Sequence, residues 1–138
     1  MTHAAQEAAR KAVFCMPFLD RPHPAAIASL EAAVPLVEAA GWAHGFITEV
    51  GNPYISAARA VLLRKAMSAG ATVVVFLDYD VSYPPEALVA LLEAEGDVVA
   101  GTYRTKRDDE LEEYMGGCVT NAQGIPLTRD PDGAILAE

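Results

Sequence analysis

Residues 73–77 read Val-Val-Val-Phe-Leu, and the chain then passes through Asp78-Tyr79-Asp80 and stops on Pro84-Pro85. A strand with one face in water alternates apolar and polar residues. An unbroken apolar run is the pattern of a strand covered on both faces, as in parallel sheets flanked by helices. The paired prolines suit the first turn of a following helix, where a missing N–H costs nothing. Two carboxylates separated by one residue therefore stand where a buried strand comes out at the surface.

The rest of the chain supports that frame. Residues 11–18 are short and apolar and end at Pro17 and a polar loop, which predicts another buried strand. From residue 24 to 40, Ile27, Leu30, Val34 and Val37 recur at helical spacing, with Glu31 and Glu38 off that stripe. Gly41 is the expected stop, and Pro35 is expected to kink the helix. Residues 44–51 read as a second strand and 51–54 as a turn. A helix is expected from a Ser56 cap to Gly70, followed by the strand at 71–77. Leu88, Leu91 and Leu92 face inward on the proline-led helix, which Gly96 ends, and residues 97–103 give a fourth strand.

The order β-α-β-α-β-α-β requires right-handed crossovers. The expected fold class is α/β, a three-layer α/β/α arrangement around a mainly parallel sheet, with a short C-terminal β-rich segment. We read residues 1–138 as a single domain. It comprises a β/α core at 11–105 and, at 106–138, a charged loop with short strands joined by turns at 121–124 and 130–133.

Ten basic against nineteen acidic residues leave a net charge of −9. Such a chain is a poor ligand for nucleic acid phosphates. An anionic ligand would need a metal ion or a few placed cations, so each arginine is informative. No apolar run is long enough to span a bilayer, and the first residues lack the pattern of a signal peptide; the expected location is cytoplasmic. Cys15 and Cys118 lack metal-type spacing and read as thiols.

In open parallel sheets, ligands bind beyond the carboxyl ends of the strands. Asp78 and Asp80 stand at such an end, and continued extension would put both on one side with Tyr79 opposite. Carboxylates that close favour a cation between them, and a hard divalent ion completed by phosphate oxygens suits the pair. Arg59 lies in the middle of the inward face of its helix and in the first helical turn, where a cation opposes the dipole. It can reach the carboxylates or a phosphate, snorkel past the sheet edge, or form a structural pair with Asp78. Glu49, Lys106 and Arg107 are weaker candidates at the same end of the sheet. Pro17 and Asp20 follow the first strand there.

Residues 56–92, "SAARAVLLRKAMSAGATVVVFLDYDVSYPPEALVALL", resemble the core of family 2 glycosyltransferases of the GT-A fold, and "DVVAGTYR" at 97–104 is similar to that family's next strand. The resemblance covers residues 11–105. It implies a nucleotide-diphospho-sugar donor such as a UDP- or GDP-sugar, an acceptor it does not name, and a Mn²⁺ or Mg²⁺ cofactor. Asp78 and Asp80 would be the metal residues, with Asp78 at the metal or the ribose. Pro17, Phe18 and Asp20 would shape the base and ribose pocket with Tyr79, Glu49 would read the base, and Arg59 would lie beside the nucleotide. The second strand departs from the family pattern, ending "TEVGN" with one acid where two are usual. No general base is identified: Asp108, Asp109 and Glu110 lie too near the fourth strand. The acceptor half is expected to be reduced or missing, with a homo-oligomer as one way to complete it. Two other readings stand beside this one. One is a non-catalytic nucleotide-sugar-binding or assembly fragment. The other is a haloacid-dehalogenase-like phosphatase, against which stand the two β-α units before Asp78.

Overall fold

The computed structural model describes residues 9–101, so the expected loop and β-rich segment at 106–138 lie outside the described residues. The described elements run β1 (Lys11–Phe18), α1 (Pro24–Ala39), β2 (Ala43–Val50), α2 (Ile55–Ser68), β3 (Val73–Phe76) and α3 (Pro85–Glu93). All lie in one compact unit, Met1–Gly96, and Asp97 opens a second. No helix among the described residues is long and apolar enough to cross a membrane.

The strands form one open parallel sheet in the order β2-β1-β3. β1 is central, in register with β2 from Lys11 opposite Ala43 to Phe18 opposite Val50, and with β3 from Ala12 opposite Val73 to Cys15 opposite Phe76. Its residues are buried from 12 to 17. Period-two alternation sends successive side chains to opposite faces. Ala12, Phe14 and Met16 accordingly join α1 residues Leu30 and Val37 and α3 residues Leu88 and Leu92 in one cluster. Val13 and Cys15 join Leu62 and Ala66 of α2 in another.

Both long helices end as their glycines predict. Gly41 and Gly70 have φ of +86° and +80°, the left-handed conformation in which a side chain is strained. At the first, the Gly41 N–H donates to Glu38 O at 3.0 Å and the Trp42 N–H to Val37 O at 3.2 Å. At the second, Gly70 and Ala71 repeat the pattern on Met67 and Ala66. This double closure satisfies carbonyls that the helix leaves open. α1 runs unbroken through Pro35, which sits on its exposed side. His23 caps α1, its Nδ1 accepting the Ala25 N–H at 3.1 Å.

Three expectations are corrected. α3 ends at Glu93, with Ala94 as its C-cap, before Gly96 is reached. Ser56 is not a helix cap: α2 begins one residue earlier with Tyr54 as its N-cap and no side-chain bond there. The chain is turned before that point by Asn52, whose Oδ1 accepts the Tyr54 N–H at 3.0 Å, and by Pro53. Residues 97–101, the described part of the expected fourth strand, form no strand, and all five are exposed. Apolar composition at Val98 and Val99 supplies no hydrogen-bonding neighbour, and a strand exists only with one.

At the amino end of the sheet, Arg10, Trp42 and Glu93 tie the unit together. Trp42 Nε1–H donates to Glu93 at 2.8 Å, the Arg10 guanidinium reaches both Glu93 oxygens at 3.3 Å, and it lies 4.5 Å from the Trp42 ring centroid. The Trp42 hydrogen bond, above all, holds the Glu93 carboxyl below the usual range; desolvation opposes it, and the Arg10 charge and hydrogen bond add smaller lowering effects.

Candidate functional site

In a parallel sheet all the strand carboxyl ends lie at one edge. Here the connection from β1 leads to one side and the connection from β2 crosses to the other. This is the reversal at which open sheets leave a crevice. A pocket of about 320 Å³ occupies that edge. Residues 17–21, at and just beyond the end of β1, form one wall, and Asn52, Pro53 and Ile55 after β2 form another. Tyr79, after β3, contributes the third.

Backbone hydrogen bonds hold these loops together. The Gly51 N–H donates to Phe18 O at 3.0 Å, which ties the β2 loop to the end of β1. Gly51 makes this turn at φ +83°, a conformation that disfavours any side chain. The His23 N–H donates to Tyr79 O at 2.9 Å, which ties the turn after β3 to the start of α1. Further on, Tyr83 accepts no slack: its N–H donates to Ser29 Oγ at 3.2 Å and its ring packs on the core. The Tyr83 hydroxyl is buried without a hydrogen-bond partner among the described residues, and burial pushes its pKa up to about 12.

Four residues singled out from the sequence, Pro17, Phe18, Asp20 and Tyr79, come together as pocket lining. Arg59 and Asp78 meet beside β3 instead, with Nη2 3.2 Å from Oδ1 and the side chains 45% and 40% exposed. The Arg59 guanidinium also lies 5.9 Å from the Phe76 ring centroid, at the outer limit of a cation–π contact. Both expectations for the placement of Arg59 are corrected. Because α2 starts at Ile55, Arg59 is its fifth residue and stands past the first turn, where the helix dipole acts most strongly. The buried face of α2 is Ala58, Leu62 and Ala66, which leaves Arg59 exposed beside it. Glu49 does not line the pocket; its Oε2 accepts from Lys65 Nζ at 3.3 Å.

The chain does not stay extended through both aspartates. β3 ends at Phe76, Leu77 makes one more bond to Cys15 O at 2.9 Å, and residues 79–80 form a turn. Strand alternation therefore does not govern where Asp80 points relative to Asp78. Among the described residues no three His, Cys, Asp or Glu side chains converge as a metal-binding group. Carboxylate oxygens are donors of the type that Mg²⁺ or Mn²⁺ takes, with its remaining oxygens drawn from water and phosphate.

The pocket also contains residues not singled out beforehand, namely Leu19, Arg21, Asn52, Pro53 and Ile55. The Asn52-Pro53 turn was visible in the sequence. The rule that ligands gather beyond strand ends, applied to β2 as it was to β3, points to it. Comparison with protein-family models, curated proteins and solved structures gives no match for this chain.

Proposed function

We propose that the chain is a metal-dependent, glycosyltransferase-like protein of the GT-A type, a three-layer α/β/α fold that binds a nucleotide-diphospho-sugar and transfers the sugar to an acceptor. One observation carries this reading: residues chosen for their likeness to family 2 glycosyltransferases, Pro17, Phe18, Asp20 and Tyr79, line one pocket at the switch point of a parallel sheet. The D-x-D run leaves β3 at the same edge.

In this reading Phe18 and Tyr79 present apolar and aromatic surface to the base, and the Asp20 carboxylate accepts from ribose hydroxyls. Asp80, with Asp78, holds a divalent cation at the diphosphate. The cation would neutralise the charge that develops on the departing nucleoside diphosphate. Arg59 keeps Asp78 in place and lends a second positive charge to the phosphates. Glu49, held by Lys65, supports the β2 wall.

Calorimetry with UDP-, GDP- and dTDP-sugars, with and without Mn²⁺, tests the reading on wild type and Asp80→Ala. The expected result is binding that the metal strengthens and that, with Mn²⁺ present, falls at least tenfold in the variant, about 1.4 kcal/mol. If no nucleotide binds with or without metal, the proposal fails. Binding without sugar release in the presence of candidate acceptors would leave a nucleotide-sugar-binding module.

A further inference from the structure

Residues 9–101 contain six basic side chains: Arg10, Lys11, Arg21, Arg59, Arg64 and Lys65. Four are committed at short range. Arg10 holds Glu93, Lys11 holds Ala69 O at 2.6 Å, Arg59 holds Asp78 and Lys65 holds Glu49. Arg64 is exposed on α2 and does not line the pocket. Arg21 does line it, and it is the one cation among the lining residues.

The contact of Arg21 with its neighbour is weak. Nε stands 3.8 Å from Asp20 Oδ2, with the two side chains 87% and 90% exposed. A pair so open to water contributes little to stability, and its guanidinium remains available for another anion. The backbone that carries it is nonetheless fixed. Residues 19–22 are bracketed by the Gly51-to-Phe18 hydrogen bond on one side and the His23-to-Tyr79 hydrogen bond on the other. Pro22 further restricts Arg21 to extended conformations. A planar fork of donors on a pinned loop at a pocket rim suits recognition of phosphate oxygens.

We infer that Arg21 is a ligand-binding residue that contacts the negative charge of the pocket's ligand directly, independently of the divalent cation. The inference rests on the proposed nucleotide-diphosphate reading and adds a residue to it. In a chain of net charge −9, a ligand phosphate needs such local compensation even before metal arrives.

The test is titration of UDP and GDP into the full chain, in Mn²⁺ and in EDTA, with Arg21→Ala, Arg21→Lys and Arg64→Ala. Arg21 is exposed, so circular dichroism of its variants should match wild type. Arg21→Ala is expected to weaken the better-bound diphosphate five- to tenfold in Mn²⁺, and by a similar factor in EDTA wherever binding is measurable, about the worth of one exposed charge-assisted contact. Arg21→Lys should fall between, and Arg64→Ala, which removes the same charge outside the pocket, should stay within twofold. If Arg21→Ala and Arg64→Ala behave alike while Asp80→Ala abolishes binding, the inference is overturned and the D-x-D reading stands. If wild type binds neither diphosphate, both fall.

Discussion

The Arg59–Asp78 pair is where a structural and a functional explanation make different numerical predictions. The perturbation is a double-mutant cycle of Arg59→Gln, Asp78→Asn and the combination. The contact is one hydrogen bond of 3.2 Å between side chains 45% and 40% exposed. Two unit charges about 4 Å apart attract by roughly 1 kcal/mol in water and about 4 kcal/mol at a protein surface before the cost of ordering. Measured pairs of such exposure retain about 0.2–1 kcal/mol. Urea denaturation of the four proteins should therefore give a coupling energy below about 1 kcal/mol. Calorimetry with the best-bound nucleoside diphosphate and Mn²⁺ should show each single variant losing at least tenfold, about 1.4 kcal/mol, so binding suffers more than stability. The outcome that refutes this reasoning is a stability coupling above about 2 kcal/mol with unchanged nucleotide affinity. Arg59, half-exposed beside the buried face of α2, would then serve only to hold β3.

Tyr83→Phe removes the buried hydroxyl and keeps the ring, so it should raise the urea-derived stability by about 1–2 kcal/mol at neutral pH. A loss of similar size would mean that the hydroxyl is hydrogen-bonded in solution. Because the folded pKa of Tyr83 is raised to about 12, its contribution is complete below the ordinary value of 10 and is lost as pH rises through about 12, a decline the Phe variant should not share. The Glu93 pKa is shifted the other way. Its stabilising effect is present above the ordinary value of 4.5 and is lost as pH falls through the lower folded value. Fluorescence of Trp42, the sole tryptophan, follows unfolding directly, and the stability gap between wild type and Glu93→Gln should close as pH drops below 4.5. A gap that stays constant from neutral to acid pH would rule out the charge of Glu93 as its source.

Much of the architecture could be read along the chain because it depends on local chemistry. The positions of all three helices and three strands follow from apolar spacing, and the ends of α1 and α2 follow from Gly41 and Gly70. A left-handed residue closes a helix wherever it lies, and the signal needs no distant partner. The carboxyl-end location of Asp78 likewise follows from strand direction alone. Tertiary structure decided the features that depend on neighbours distant in sequence. Residues 97–101 have strand composition without forming a strand, since pairing needs a second chain segment at the right spacing. Asp80 lies in a turn because, among the described residues, backbone bonding to β1 runs only as far as Leu77, and period-two alternation holds only while pairing lasts. Glu49 faces Lys65 and Arg59 faces Asp78 across 16 and 19 residues. The pocket joins three loops through backbone bonds from Gly51 to Phe18 and from His23 to Tyr79, and hydrogen bonds between main-chain groups carry no signature in side-chain identity. The sequence by itself determined which residues stand at the carboxyl edge of the sheet; only the packed chain decided which of them share a pocket, because that depends on how far each loop travels after its strand ends.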